Sequence, residues 1–316
     1  MSVFFAKRFL TLVATLIGAS IVIFTVMEIL PGDPALVILG IGATDEAVLT
    51  LTKELGLDQP PIDRYFSWIG GILQGELGNS YAYKVPVWEL VGRALQITIP
   101  LAILSMILSV TLALIVGLYA AANHNKASDV SLMGISQLGI SVPNFWLAVL
   151  LILFFAVKLQ WFPAGGFPGW EEGFWINIRA LILPAIALAT VQGAILARIT
   201  RSSVLDVFRE DFVRTARAKG LSQRSTLWLH VLRNAMIPVL TVMGLQFANL
   251  LAGTVIVENV FYMPGLGSVV LKAINNRDTI VVENVVLMLA AMVVITNFIV
   301  DILYAVIDPR LKAHDI

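Results

Sequence analysis

The sequence predicts an all-α polytopic membrane protein with six transmembrane helices. Of its 316 residues, 58% are hydrophobic and 13% are charged, whereas about 25% of the residues in typical soluble domains are charged. Six apolar windows approach or reach the roughly 20 residues that a helix needs to cross a bilayer. Basic residues gather in a few of the segments between these windows, as in multi-pass membrane proteins.

The six windows define the predicted spans. They are Phe9–Leu30, Ile97–Ala121, Gln137–Val157, Ala180–Ala197, Ala235–Val257 and Asn284–Ile307. Lys7 and Arg8 precede the first window, as in a signal peptide. Its apolar run of 22 residues is longer than the about 7–15 residues of a signal-peptide core. We therefore expect an uncleaved first span.

The placement of lysine and arginine predicts that both termini are cytoplasmic. In that orientation the inside segments carry 13 basic residues, and the longer outside segments carry eight. Eight of the inside residues lie between the fourth and fifth windows: Arg198, Arg201, Arg209, Arg214, Arg217, Lys219, Arg224 and Arg233. We therefore expect a cytoplasmic N-terminus (1–8), an extracytoplasmic segment (31–95) and a five-span core (96–307). A cytoplasmic loop (199–234) and a cytoplasmic C-terminus (308–316) complete the prediction.

The long outside segment predicts a small helical cap. Thr44 is a candidate N-cap for a first helix, which Gly56 would end. Pro61 suits the first turn of a second helix. Its apolar side is supplied by Tyr65, Phe66, Trp68, Ile69 and Leu73. A packed cap with aromatic anchors at the membrane interface is favoured over a ligand site.

The basic segment between the fourth and fifth windows has more structure than a turn requires. Apolar residues recur there at every fourth position and predict one helical face: Val204, Phe208, Phe212 and Ala216. Gly220 can end that helix, because glycine adopts positive φ without strain. Ser222 is a candidate N-cap for a short amphipathic helix through "QRSTLWLHV", before the chain re-enters the membrane at Pro238.

The outside segment between the fifth and sixth windows, residues 258–283, predicts a tight turn and a short helix on the surface. Pro264, Gly265 and Gly267 mark the turn. Arg277 and Asp278 are adjacent, so we expect an exposed ion pair or a contact with a partner protein.

No catalytic or cofactor-binding motif is present in the sequence. It has no cysteine, its three histidines are scattered, and it lacks the G-x-x-x-x-G-K-[ST] nucleotide loop. We expect neither a metal nor a cofactor in this chain. The 21 basic and 21 acidic residues balance, which gives no reason to expect a nucleic-acid partner.

The interiors of the predicted spans contain almost no charge. Glu28, Arg198 and Asp301 lie near the window boundaries, whereas ion-driven transporters place ionisable groups inside the bundle. The interior polar residues are neutral: Gln137, Asn144, Gln192, Gln246, Asn249 and Asn297. Asn144, Gln246 and Asn249 are candidates to line a path, and Pro143 predicts a kink beside Asn144. Uphill transport would need energy from another subunit.

The basic segment resembles the EAA loop of ABC importer permeases. The pattern is E-A-A-x-x-x-G, then nine residues and I-x-L-P; Ala216 and Gly220 match its second alanine and its glycine. Arg214, Thr215 and Arg233 depart from it. Stretches along the whole chain, such as "EILPGDPA", "SVPNFWLAVLLILFF", "WFPAGG", "RTARAKGLSQR" and "FYMPGLG", are similar to the oligopeptide/dipeptide permease family.

That resemblance implies the type I ABC importer permease fold and a multi-subunit assembly. The expected partners are a second, homologous permease, two cytoplasmic ATPase subunits that bind ATP and Mg, and an extracytoplasmic solute-binding protein. The helix after Gly220 would be the coupling helix. The candidate contacts with the ATPase are Ala216, Arg217, Lys219, Gly220, Leu221, Ser222, Arg224, Leu227, Trp228 and Leu229.

Several alternatives remain at the level of sequence. Within the family the cargo could be a peptide, a nickel chelate, glutathione, an opine or an oligosaccharide. A stand-alone channel or secondary transporter is disfavoured by the uncharged span interiors. An intramembrane enzyme is disfavoured by the missing catalytic motifs.

Overall fold

The computed structural model describes residues 2–29, 34–40 and 42–307, and this part of the chain is helical with no β-strand. The helices are α1 Ser2–Ile29, α2 Pro34–Leu39, α3 Asp45–Glu54, α4 Pro61–Gln74, α5 Val87–Ala122, α6 Ala127–Ser141, α7 Asn144–Leu151, α8 Phe174–Phe208, α9 Asp211–Ala218, α10 Gln223–Thr226, α11 Leu232–Val260, α12 Leu266–Asn275 and α13 Thr279–Ile307. The predicted end of the first window at Leu30 and the segment 308–316 lie outside the described residues.

Five helices of the described chain are long and apolar enough to cross a membrane, and a sixth crossing is available if one bent pair counts as a span. The five are Phe5–Ile29, Val87–Ala122, Phe174–Phe208, Leu227–Val260 and Thr279–Ile302. They coincide with five of the six predicted windows. Helix α5 has 36 residues and is about 54 Å long at 1.5 Å per residue, so it extends well beyond a hydrocarbon core of about 30 Å.

The third predicted window does not form one helix. Helices α6 and α7 meet at Val142 and Pro143 with an angle of 100° between their axes. Pro143 has no backbone N–H and restricts the residue before it to extended conformations, and Val142 accordingly has φ −87° and ψ 121°. The sequence therefore located the kink, but the bend is sharp enough to divide the window.

Helices α5 and α8 form the centre of the bundle and run parallel in close contact. A Cβ added at Gly117 of α5 would lie 2.7 Å from the Thr200 Cβ, and one at Gly193 of α8 would lie 2.7 Å from Leu112 Cδ2. Ser105 Oγ donates to the Leu101 carbonyl of its own helix at 2.7 Å. Ser109 Oγ donates to the Ser105 carbonyl at 2.7 Å and lies 3.4 Å from the Ala189 carbonyl of α8. Small side chains thus allow a close approach without leaving these hydroxyls unpaired.

The outermost helices are α1 and α13, which pack against each other. In the most apolar stretch of α8, 72% of the residues are buried within the chain. The corresponding share is 17% in α1 and 6% in α13. Asp301, which interrupts the sixth window, lies 3.3 Å from Arg8 across this pair of helices. The exposed apolar faces of α1 and α13 are suited to lipid or to a partner subunit.

The helical cap, residues 34–40 and 42–86, packs on the ends of α1 and α13. Thr44 caps α3 as predicted, because its side chain accepts a hydrogen bond from the Ala47 N–H at 3.3 Å. Gly56 follows α3 with φ +67°, and Pro61 opens α4. The cap prediction is confirmed in its helices and their boundary residues.

The turn after α11 is built around a buried carboxylate. Glu258 accepts hydrogen bonds from Thr98 Oγ1 at 2.6 Å and from the Gly267 N–H at 2.8 Å, and it has no exposed surface. A side chain at Gly265 would collide with this carboxylate. The predicted surface helix is α12, but its Leu266, Val270 and Ala273 are buried, so α12 is part of the core rather than a surface element.

Candidate functional site

The candidate site is the basic segment, residues 209–234, which joins α8 to α11. Helix α8 ends at Phe208 and α9 begins at Asp211, so the single helix predicted through this region is interrupted. The break changes the buried face: Val213 and Ala216 are buried, while Phe212 is 43% exposed. The every-fourth-residue pattern was therefore wrong for Phe212.

Gly220 ends α9 as the sequence predicts. Its φ is +89°, in the left-handed region that favours glycine. The Gly220 N–H donates to the Arg217 carbonyl at 2.9 Å, and the Leu221 N–H donates to the Ala216 carbonyl at 3.3 Å. These bonds occupy the last carbonyls of the helix and turn the chain sharply toward α10.

Ser222 caps the next helix, and this prediction is also confirmed. Its Oγ accepts a hydrogen bond from the Ser225 N–H at 3.2 Å. The helix that follows is not short, however. Helix α10 continues through a π-helical turn, Leu227–Val231, directly into α11. Together, α10, the π-helical turn and α11 form one continuous rod that carries the candidate coupling residues into the fifth span.

The start of this rod has an inner and an outer face. Leu227 and Val231 pack against Val204, Val213 and other apolar residues of α8, α9 and α5. Trp228 and Leu229 point outward, with 56% and 64% of their surface exposed. Large apolar side chains at this exposure, flanked by polar residues, are typical of a docking surface.

The predicted contact residues therefore divide into two groups. Ala216 is buried and Leu227 and Leu221 are half-buried. The exposed members are Arg217, Lys219, Gly220, Ser222, Trp228 and Leu229. The side chain of Arg224 lies outside the described part of the structure. The Arg217 guanidinium lies 5.7 Å from the centre of the Phe208 ring, which orients one positive charge beside the turn.

Beside the basic segment lies an ion-pair cluster that sequence reasoning missed. Arg201 Nε donates to Asp129 Oδ1 at 2.6 Å and Arg201 Nη2 donates to Asp129 Oδ2 at 2.7 Å. The Asn125 N–H donates to the same carboxylate at 3.1 Å, and His124 Nδ1 lies 3.3 Å from it. Asp129 is 2% exposed. The cluster ties the α5–α6 turn to α8, and its only sequence signal is an acidic residue in the short segment between the second and third windows.

The structure brings two of the three candidate path residues together. Asn249 Nδ2 donates to Gln246 Oε1 at 3.0 Å on α11. Asn144, at the start of α7, has no hydrogen bond to either; its Nδ2 would lie 3.3 Å from a Cβ at Gly253. Asn144 Oδ1 is buried with no hydrogen-bond partner among the described residues, and so is Gln192 Oε1 in α8. Buried polar atoms without a partner are uncommon in folded proteins, which distinguishes these two amides from Gln246 and Asn249.

Other functional candidates are carboxylates that the sequence placed in exposed loops. Glu258 and Asp278 are fully buried and Glu283 nearly so. Asp278 does not pair with Arg277; its Oδ2 accepts hydrogen bonds from Ser80 Oγ at 2.5 Å and from the Ala82 N–H at 3.1 Å. Among the described residues, no cluster of three or more His, Asp or Glu side chains could hold a metal ion.

Comparison with protein families gives two matches that together cover nearly the whole chain. Residues 113–313 match the family described as "Binding-protein-dependent transport system inner membrane component". Residues 1–102 match the N-terminal region of the membrane component of such systems.

Individual relatives and a solved structure agree with these matches. A "Putative peptide transport system permease protein" of Brucella abortus is 40% identical over 312 residues, covering 99% of both chains. The "Dipeptide transport system permease protein DppB" of Escherichia coli is 37% identical over 333 residues, covering 98% of both chains. The MetNI methionine ABC transporter in an inward-facing conformation has a chain that matches with a TM-score of 0.59 and 16% identity. That match covers 69% of this chain and 96% of the MetNI chain, and it concerns the fold alone.

The fold of six apolar segments, the basic segment with its glycine break and the two family matches agree with one another. The chain is a permease subunit and belongs to the family of binding-protein-dependent transport system inner membrane components.

Proposed function

We propose that this chain is one permease subunit of an ATP-driven importer of di- or oligopeptides. It would form half of a translocation path with a second, homologous permease. Two cytoplasmic ATPase subunits would bind ATP and Mg, and an extracytoplasmic solute-binding protein would deliver the cargo. Relatives named as peptide and dipeptide permeases over nearly their full length support the cargo class.

The observation that carries this proposal is the continuous rod from α10 to α11. A partner that binds the exposed Trp228 and Leu229 would hold the rod at one end, while the other end crosses the membrane. Movement of the partner then changes the position of the fifth span, provided that the partner binds two arrangements of the bundle with different affinity. Gly220 separates the rod from α9 along the backbone, and Leu227 and Val231 of the rod pack against Val213 of α9, so α9 would move with the start of the rod.

The orientation follows from the same proposal. The ATPase subunits are cytoplasmic, so the basic segment, both termini and the Asp129–Arg201 cluster would lie on the cytoplasmic side of a prokaryotic inner membrane. The helical cap and α12 would then lie outside, where the solute-binding protein docks. The excess of basic residues on the assigned inner side supports this orientation.

A pull-down of the tagged chain from its native membrane in mild detergent tests the assembly. We expect a second six-span chain and proteins that carry a G-x-x-x-x-G-K-[ST] loop to co-purify. The double variant Trp228→Asp, Leu229→Asp should lose the nucleotide-binding proteins but keep the second permease. Leu49→Asp is the matched control, because Leu49 is 62% exposed but lies on α3 in the cap. Equal recovery of the ATPase subunits with the double variant would refute the docking surface.

A further inference from the structure

The helical cap is anchored to the spans by polar contacts around its edge. Arg64 Nη2 lies 3.1 Å from Glu28 Oε2, and the hydroxyls of Ser20 and Tyr65 lie 2.9 Å apart. Trp68 Nε1 donates to Asn284 Oδ1 at 3.3 Å. These bonds hold α4 against both α1 and α13.

Beneath the cap, between α1, α4 and α13, lies a cavity of about 290 Å³. Its wall contains three aromatic rings, two carboxylates, one guanidinium and several uncharged groups. The charged and aromatic members are Phe24, Arg64, Trp68, Glu76, Tyr81 and Glu283. Glu76 is exposed at the rim, whereas Glu283 is 8% exposed.

Glu283 forms no hydrogen bond and no salt bridge within the described chain, and Arg64 acts on it only through longer-range attraction. Its carboxylate accepts no hydrogen bond there, and no lysine or arginine nitrogen lies within 4.0 Å of it. Arg64, the cation in the cavity wall, is already bound to Glu28. A buried carboxylate without a partner is strongly disfavoured unless it is neutralised, and a cationic group from outside the chain would stabilise the charged form of Glu283.

The wall of the cavity selects the chemistry of that group. Two carboxylates face a single arginine that is bound to Glu28 and lies 5.9 Å from the centre of the Phe24 ring. The aromatic side chains supply apolar surface for the carbon stem of a cationic ligand. Burial raises the pKa of the Tyr81 phenol, and the nearby negative charge of Glu283 raises it further, so the phenol remains neutral. Among the described residues, no cluster of metal-ligating side chains is present at this cavity, which favours an organic monocation over a divalent metal.

We propose that the cavity under the cap binds a primary ammonium group, with the Glu283 carboxylate accepting its N–H donors and the rings of Phe24, Trp68 and Tyr81 surrounding its stem. The ammonium could belong to the N-terminus of a peptide or to the headgroup of an ethanolamine lipid. The site is argued from this chain alone; only the peptide source rests on the proposed function.

Saturation-transfer NMR on the purified permease complex tests the site. The protein is placed in nanodiscs of phosphatidylcholine, which has no net charge and no primary amine, and titrated with n-butylammonium or with n-butanol, its neutral analogue; empty nanodiscs give the background. We expect saturable binding of n-butylammonium and none of n-butanol. Glu283→Gln should weaken that binding by about tenfold or more, because it removes a charge-assisted hydrogen bond. Glu283→Asp, which keeps the charge, should retain part of it.

Glu46→Gln provides the matched control, because Glu46 is an exposed carboxylate on α3 that does not line the cavity. It should bind n-butylammonium like the wild type. Competition by dialanine but not by N-acetyl-dialanine would identify a peptide amine as the ligand. Loss of n-butylammonium binding on adding phosphatidylethanolamine would identify the lipid. Equal binding by the wild type and Glu283→Gln, or no preference for n-butylammonium over n-butanol, would overturn the proposal. The comparison of the two probes needs only the wild type, so it stands even if a variant fails to fold.

Discussion

Asp129 shows how a single residue fixes the geometry of one end of the bundle. Its carboxylate receives two bonds from Arg201 and one from the backbone of the α5–α6 turn, at distances between 2.6 and 3.1 Å. These bonds join elements that are 72 residues apart in the chain. Because the carboxylate is buried, removing its charge leaves a partly buried arginine without compensation.

We therefore predict that Asp129→Asn destabilises the fold by about 3 kcal/mol. The measurement is thermal or SDS-induced unfolding of the detergent-solubilised chain. Asp211→Asn is the control, because Asp211 forms an exposed pair with Arg214 at 3.2 Å, and such pairs contribute about 0–1 kcal/mol. Similar losses for the two variants would contradict the structural role of Asp129.

Residues whose role depends on near neighbours in the chain could be predicted from the sequence. Thr44, Gly220 and Ser222 act through backbone groups within four residues, so local chemistry was sufficient. The buried acids could not be predicted in this way. Glu258 is paired with Thr98 and Asp278 with Ser80, at separations of 160 and 198 residues, and only the folded structure brings these partners together.

At the scale of elements, the contact between α5 and α8 depends on glycine. A methyl group at Gly117 would lie 2.7 Å from the Thr200 Cβ and 2.8 Å from the Ala197 carbonyl oxygen. These are shorter than van der Waals contacts and involve a neighbouring backbone. The helices must separate to accept the methyl group, which disturbs the centre of the bundle.

We predict that Gly117→Ala lowers stability by about 1–3 kcal/mol through overpacking. Gly134→Ala on α6 is the matched control, since nothing lies within 4 Å of its added methyl group. That substitution should be neutral or stabilise the helix by up to about 1 kcal/mol. Unfolding curves of both variants in the same detergent test this prediction. Unchanged stability of Gly117→Ala would show that the two helices are not in close contact.

The two faces of the rod at its α10 end should respond differently to charge. Leu227 packs inward, so Leu227→Asp should destabilise the fold by about 2 kcal/mol or more. Trp228 is mainly exposed, so Trp228→Asp should leave stability within about 0.5 kcal/mol. Unfolding of the two variants, measured side by side, tests this assignment. A large loss of unfolding free energy for Trp228→Asp alone would show that Trp228, and not Leu227, lies on the inner face.

The sequence predicted which elements exist better than where they break. Five apolar windows became helices, because their length and composition leave few alternatives in a bilayer. The division of the third window at Val142–Pro143 follows from the local chemistry of Pro143, which the sequence indicated as a kink, whereas the break after Phe208 has no such local signal. A periodic pattern cannot show such a break, which is why it placed Phe212 on the buried face.

For the whole molecule, the distribution of burial separates an enclosed centre from helices whose faces are suited to lipid or to a partner subunit. Helix α8 is enclosed, while α1 and α13 expose most of their apolar surface. Composition and family resemblance predicted a membrane permease subunit, and the family matches confirm this class of protein. The sequence indicated which residues are candidates to line the path, but it did not predict their positions relative to one another. Half of the proposed path belongs to another chain.

Peptide uptake into proteoliposomes tests the central claim most directly. Vesicles would contain this chain with its second permease and ATPase subunits, and would receive binding protein, ATP and a radiolabelled dipeptide. We predict uptake that requires ATP and the ATPase subunits, and its near-complete loss in the Trp228→Asp, Leu229→Asp variant, while Trp228→Phe, Leu229→Met, which keeps the exposed side chains apolar, transports normally. Uptake by this chain without ATP, or undiminished uptake by the double variant, would contradict the account.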